Sequence, residues 1–204
     1  MAKKQSEQRL NQIWRALSEK VEKLINPDRF YVALYDAEKS EIAFPWVVQG
    51  EKKKNWEAQP YNYERLPDYL IEQKCPWLVE EDFSAQLESA GVVYGPDGQQ
   101  PESWLGAPMI FENLVLGALV VESQVPGAFG QRELRVLATM ARQTATAIQN
   151  ARLYERLNRR IKDLDAVNQI GQKLTAGIQL EEDEILHLIH EQASELMDTD
   201  NMYF

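Results

Sequence analysis

Cysteine and histidine are almost missing from this sequence. Its 204 residues include one cysteine, Cys75, and two histidines, His187 and His190, both near the C-terminal end. A lone thiol closes no intramolecular disulfide, which excludes a disulfide framework and fits a reducing, cytoplasmic setting. Nor can it supply both a nucleophile and a resolving partner for thiol redox chemistry within the chain. There is no Gly-rich phosphate loop, no Ser-His-Asp set and no metal cluster, so no catalytic constellation is legible and the chain is expected not to be an enzyme. Long uncharged apolar runs are absent too, which argues against a membrane span, and the opening Met-Ala-Lys-Lys-Gln-Ser lacks the apolar stretch of a secretory signal. Basic residues stop at Lys173. The eight acidic residues that follow account for most of the net charge of −10, so the part before them is nearly neutral and carries no footprint for nucleic acid. The one basic run, Lys52-Lys53-Lys54 beside Gly50, and the acidic run Glu80-Glu81-Asp82 both read as solvated loops.

What the chain does have is periodicity. Leu10, Ile13, Leu17, Val21 and Leu24 recur at steps of three and four, the stripe of an amphipathic helix from about residue 4 to 25. Asn26-Pro27-Asp28 ends it. Phe30 to Tyr35 and Ile42 to Val48, rich in aromatic and β-branched residues, form a hairpin, and Pro45 places an edge or a bulge in its second strand. From Gln49 to Gln100 the pattern is irregular: a helix near residues 64–73, a short strand at Trp77 to Val79, a helical turn at residues 83–89, and a turn at Gly95-Pro96-Asp97-Gly98. A second hairpin, Trp104 to Phe111 and Leu114 to Glu122, turns at Glu112-Asn113. Gly106 and Pro108 in it suggest a bulge or close backbone approach, which Gly117 on the partner strand can match. A long helix opens near Gln131 with Leu134, Leu137, Ala138, Ala141, Ala145 and Ile148 facing inward.

That helix carries on into a different pattern. Tyr154, Leu157, Ile161, Leu164 and Asn168 alternate steps of three and four, the spacing of a coiled-coil seam, with charged residues between them. A solvated linker helix is the other reading of this stretch. Beyond it the sequence repeats its own beginning at one constant offset: Ile13 falls on Ile185, Leu24 on Leu196, Asp28 on Asp200 and Tyr31 on Tyr203. Self-similarity of this kind marks tandem units. The expected organisation is a domain over residues 1–152, a connector helix over 153–180, and the start of a second, similar unit over 181–204.

Three local sequences resemble the GAF domain family of sensory modules. They are Phe30-Tyr31-Val32-Ala33-Leu34-Tyr35-Asp36 followed by Ile42-Ala43-Phe44-Pro45; Ser103-Trp104-Leu105-Gly106-Ala107-Pro108-Met109-Ile110 followed by Leu116 to Ser123; and Pro126-Gly127-Ala128-Phe129 running into Leu134 to Tyr154, with Asn150-Ala151-Arg152-Leu153-Tyr154-Glu155. The resemblance implies an α+β fold, a GAF/PAS-like central antiparallel sheet flanked by helices with a long C-terminal exit helix. It also implies a small-molecule pocket on one face of the sheet and homodimerisation through the terminal helices, which lead to downstream domains of a longer signalling chain.

Chemistry known in this family can be tested on these residues. Covalent bilin attachment needs a thiol, commonly beside a histidine, and the only thiol, Cys75, lies between Lys74 and Pro76 in a domain without histidine. Haem ligation through histidine fails for the same reason, so no cofactor is expected. The Asn-Lys…Phe-x-x-x-Asp-Glu pattern of cyclic-nucleotide binders survives only as Phe129 with Glu133, followed by Leu134. His190-Glu191 resembles a phosphoacceptor pair but no proline follows, and His187 with His190 are one helical turn apart without further ligands. The function expected from the resemblance is regulatory: a non-catalytic module of a multidomain bacterial signal-transduction protein that binds an unknown small-molecule effector and dimerises. The alternative is a ligand-free spacer filled by its own aromatics. Phe44, Trp46, Tyr69, Trp77, Tyr94 and Trp104 are the pool from which an apolar pocket would be drawn, some of them as ordinary core, and the seam Tyr154, Leu157, Ile161, Leu164 and Asn168 is the expected dimer contact.

Overall fold

Residues 2–50, 52–94 and 100–176 are described by the computed structural model. The chain divides into two units, Met1–Ala151 and Arg152–Phe204. In chain order the elements are α1 (Ala2–Leu24), β1 (Arg29–Asp36), β2 (Glu41–Gln49), β3 (Lys52–Lys54), β4 (Gln59–Pro60), α2 (Leu66–Gln73), β5 (Trp77–Val79), α3 (Phe83–Ala90), β6 (Ser103–Phe111), β7 (Leu114–Ser123) and α4 (Gln131–Ala176). The strands form one antiparallel sheet in the order β3-β2-β1-β7-β6-β5, with β4 also pairing with β2.

Both faces of this sheet are covered. On one face Phe30 and Val32 of β1, Leu105, Ala107 and Met109 of β6, and Leu119 and Val121 of β7 pack against Trp14, Leu17 and Val21 of α1 and Leu137, Ala141, Ala145 and Ile148 of α4. On the other, Tyr31, Trp104, Ala118 and Val120 meet Leu66 and Leu70 of α2 and Phe83 and Leu87 of α3. Double coverage explains why β6 and β7 read as nearly continuous apolar runs: seven consecutive residues of β6 and eight of β7 are buried.

The α1 stripe differs by one position from its expected course. Trp14 and Ile25 are buried, whereas Leu24 is exposed. A helix advances about 100° per residue, so Trp14, Leu17 and Val21 share a face, and Leu24 stands on its margin at the last residue of the helix, where it is left exposed. Burying a side chain the size of tryptophan or leucine contributes about 1.5–3 kcal/mol, so Trp14 adds to the hold of this face on the sheet. In α4 the six inward positions all lie against the sheet, Leu134 and Ala138 partly and the others fully buried, joined by Met140.

Two bulges shape the sheet. Between Val32↔Trp46 and Leu34↔Ala43, β2 carries one residue more than β1, at Phe44-Pro45. This is the bulge that Pro45 foretold, and β3 and β4 pair only with the ends of β2. Between Met109↔Gly117 and Ile110↔Val115, β7 carries the extra Leu116. Gly117 has φ of +142°, and a β-carbon on it would stand 1.9 Å from the Ala33 carbonyl oxygen, so only glycine lets β7 approach β1 there.

The middle of the chain holds what periodicity did not foresee. Lys52–Lys54 is an exposed edge strand rather than a loop, its three charges placed where they discourage edge-to-edge pairing, and Gln59–Pro60 forms a two-residue strand. The expected turn at residues 95–98 and the expected second unit over 181–204 lie outside the described residues, as does the end of the 153–180 connector.

Candidate functional site

Asp28, the residue that follows the helix-ending Asn26-Pro27, locks the start of β1 to the end of β7. Its Oδ2 accepts from the Ser123 hydroxyl at 2.8 Å and from the Gln124 backbone N–H at 2.7 Å. This anchor sets Arg29 opposite Glu122 in the register. On the other side of β7, Glu122 pairs in register with Trp104 of β6. Three adjacent strands thus present one row, Arg29–Glu122–Trp104, on the face covered by α2 and α3.

The row is polar at its centre and buried. Arg29 Nη1 donates to Glu122 Oε2 at 2.8 Å, with both side chains almost fully buried. From the segment before β6, Tyr94 accepts from Arg29 Nη1 at 2.9 Å and donates to Glu122 Oε2 at 3.1 Å, closing a triangle. Burial raises the Glu122 carboxyl above its ordinary value, opposed by Arg29 and by its hydrogen bonds. Burial disfavours the charge on Arg29, but Glu122 and then Tyr94 hold it above its ordinary value. The Tyr94 and Tyr31 hydroxyls are both pushed upward, first by burial and then by Glu122.

Aromatic rings surround this triangle. The Arg29 guanidinium carbon lies 5.8 Å from the centre of the Trp56 ring, and Trp56 packs on Tyr31 at 5.0 Å and on Phe44 at 5.3 Å. Tyr94 meets Phe83 edge-on at 5.6 Å. On the far side Trp104 contacts Trp77 at 5.6 Å, which contacts Tyr69 at 4.8 Å. Gly106 makes room for this arrangement: a β-carbon there would lie 2.4 Å from both the Trp104 ring and Leu70. The close approach expected at Gly106 is therefore a side-chain one, and Gly117 serves a different contact.

Five of the six aromatics singled out from the sequence, Phe44, Tyr69, Trp77, Tyr94 and Trp104, belong to this face. Trp46 does not. It packs on the side of α1 and α4, with Lys53 Nζ 4.1 Å from its ring centre. The sequence reading missed Arg29, Glu122, Tyr31 and Trp56. The signal for the first two was a charge at the end of the apolar run Leu114 to Val121 and a second charge opening the strand that follows Asp28. Cys75 is exposed beyond the end of α2. Glu133 caps the start of α4, its Oε2 accepting from the Gly130 N–H at 3.0 Å, while Leu134 packs toward the core. Among the described residues, no group of three or more His, Cys, Asp or Glu could hold a metal ion, and no helix is long and apolar enough to cross a membrane.

The family model for the GAF domain matches residues 9–150. The chain belongs to the GAF domain family. Its fold is that of solved GAF structures: the second GAF domain of DevS from Mycobacterium smegmatis is 19% identical with a TM-score of 0.55, covering 72% of this chain and 98% of that one. The GAF domain of a two-component sensor histidine kinase from Bacillus halodurans is 17% identical with a TM-score of 0.55, over 71% and 97%. A type II free methionine-R-sulfoxide reductase from Thermoplasma acidophilum is 13% identical with a TM-score of 0.57, over 71% and 95%. At these identities the likeness is one of fold. No curated protein matches the sequence. GAF domains are regulatory and sensory modules of signalling proteins, although the reductase shows that some proteins of this fold are enzymes.

Proposed function

We propose that this GAF domain is a non-catalytic sensory module of a multidomain bacterial signal-transduction protein, binding a small molecule on the sheet face under α2 and α3 and dimerising through the outer part of α4. The observation that carries the ligand reading is the row Arg29–Glu122–Trp104. A face built only as packing has no need to bury an ion pair, which is rarely worth more than an apolar substitute. Ligand sites combine apolar walls with a few placed polar groups, and Tyr31, Trp56, Trp77 and Trp104 around the Arg29–Glu122–Tyr94 triangle have that composition. The lone, exposed Cys75 argues against thiol-based reductase chemistry within one chain.

Support for dimerisation comes from the second unit. Tyr154, Leu157, Ile161 and Leu164 are 47–63% exposed at the spacing of a seam, and Asn168 continues it. Uncovered apolar side chains recurring on this pattern have a natural occupant in the same stripe of a second copy. A ligand would then act by favouring one arrangement of the paired helices, with a coupling of about 1–3 kcal/mol. The GAF domain of a sensor histidine kinase and the second GAF domain of DevS among the neighbours, with the internal repeat, support a multidomain setting.

The contacts among Tyr31, Phe44 and Trp56 and among Tyr69, Trp77 and Trp104 also favour a second reading, a spacer whose face is filled by its own rings. Thermal unfolding against a metabolite and nucleotide panel, with native mass spectrometry of the purified protein, separates the two. A sensor shows a raised melting temperature with some compound or a co-purified mass; silence in both assays assigns the spacer.

A further inference from the structure

Among the described residues, two buried N–H donors on this face have no acceptor: Arg29 Nε and Trp104 Nε1. Buried polar groups are nearly always partnered, and leaving one unpaired costs about 1–3 kcal/mol. Two orphans at opposite ends of one row are a more specific observation than one. Arg29 and Trp104 flank Glu122 on the neighbouring strands, so both side chains rise from the same face of the sheet on either side of that carboxylate. The Arg29 guanidinium already spends Nη1 on Glu122 and Tyr94. Tyr31, whose hydroxyl feels Trp104, closes no bond to its indole. Trp46 Nε1 and Ser103 Oγ, also unpartnered and buried among the described residues, lie elsewhere: Trp46 belongs to the side of α1 and α4, and Ser103 precedes Trp104, so strand alternation turns it to the opposite face.

Charge narrows the ligand class. Arg29 and Glu122 neutralise one another at 2.8 Å in a site where both are almost fully buried. A further anion there would face the Glu122 carboxylate and a further cation the guanidinium, and an added unpaired charge is costly in such surroundings. An uncharged group with acceptor oxygens satisfies the two orphans and leaves the pair intact. The surrounding rings of Tyr31, Trp56, Tyr94 and Trp104 favour a flat body. We propose that the effector, on the sensor reading given above, is an uncharged, flat molecule carrying carbonyl-type acceptors, anchored by the Arg29 Nε–H and the Trp104 Nε1–H.

Benzamide, benzoate and benzamidine share one ring and differ in charge, and saturation-transfer NMR on the full chain compares them directly. Benzamide binds, and the charged pair bind at least several-fold more weakly. Trp104→Phe removes the donor and some packing volume, so the ligand-free protein melts lower; it also weakens benzamide about tenfold, the value of roughly one hydrogen bond. Arg29→Lys keeps the charge opposite Glu122, removes Nε, and weakens benzamide likewise, with circular dichroism confirming the fold of both variants. Benzoate or benzamidine binding as tightly as benzamide overturns the proposal, as does benzamide binding that neither variant changes, or no benzamide binding at all. In those cases a melting shift with a charged compound of the metabolite panel leaves the sensor reading standing and removes only the ligand class. A silent panel removes both.

Discussion

At Gly117 a β-carbon would overlap the Ala33 carbonyl oxygen, and the backbone sits at a φ that side chains rarely adopt. Gly117→Ala is therefore expected to destabilise the domain by about 2–4 kcal/mol, combining backbone strain with overpacking, measured by urea unfolding. Glu122 makes a second prediction at this scale. Its carboxyl is raised above the ordinary 4.5 by burial, so the folded state holds its proton more tightly than the unfolded one. The stability it contributes is fully present below pH 4.5 and is lost as pH rises through the folded value. The melting-temperature advantage of the natural protein over Glu122→Gln should thus shrink as pH is raised from about 4 to 7; an advantage that grows with pH would contradict the assignment. Neither residue's role was legible beforehand. The glycine was visible as a strand glycine, but its contact with Ala33 depends on the β1–β7 register.

Helices and hairpins were the most legible scale, because a stripe or an alternation is a local property. The limits of β1, β2, β6 and β7 lie within one residue of those read from composition, and Trp77 to Val79 forms the strand expected there. The two short strands β3 and β4 escaped because Lys-Lys-Lys and Gln-Pro have no apolar alternation; only the free edge of β2 makes them strands. The exposed outer stripe of α4 bears a prediction here. Leu157→Lys with Leu164→Lys should convert a dimer to a monomer in sedimentation or light scattering, with little change in the melting of the domain itself, since both side chains are more than half exposed. An unchanged mass would leave the solvated-linker reading.

For the whole molecule, the prediction is a linkage. A compound that binds the folded state raises its melting temperature, by an amount equivalent to about 2.7 kcal/mol when present at a hundred times its dissociation constant. If the α2–α3 face is the site, Trp104→Phe should reduce that shift, whereas Lys53→Ala, beside Trp46 on the opposite side of the sheet, should not. Comparing the two variants against one active compound locates binding to a face without a complex structure.

By itself the sequence determined the local elements, the poverty in thiol and imidazole, and the motif set that places the chain among GAF domains. Those depend on residue type and spacing along the chain. Only the tertiary structure decided which side of the sheet each residue occupies. Phe44 and Trp46 stand two apart and would share a face in a regular strand, yet the bulge at Phe44-Pro45 sends them to opposite sides. The row Arg29–Glu122–Trp104 likewise joins residues distant in sequence through the registers of three strands. A shift of one residue reverses every facing in a strand, so no pattern along a single segment could have assembled that row.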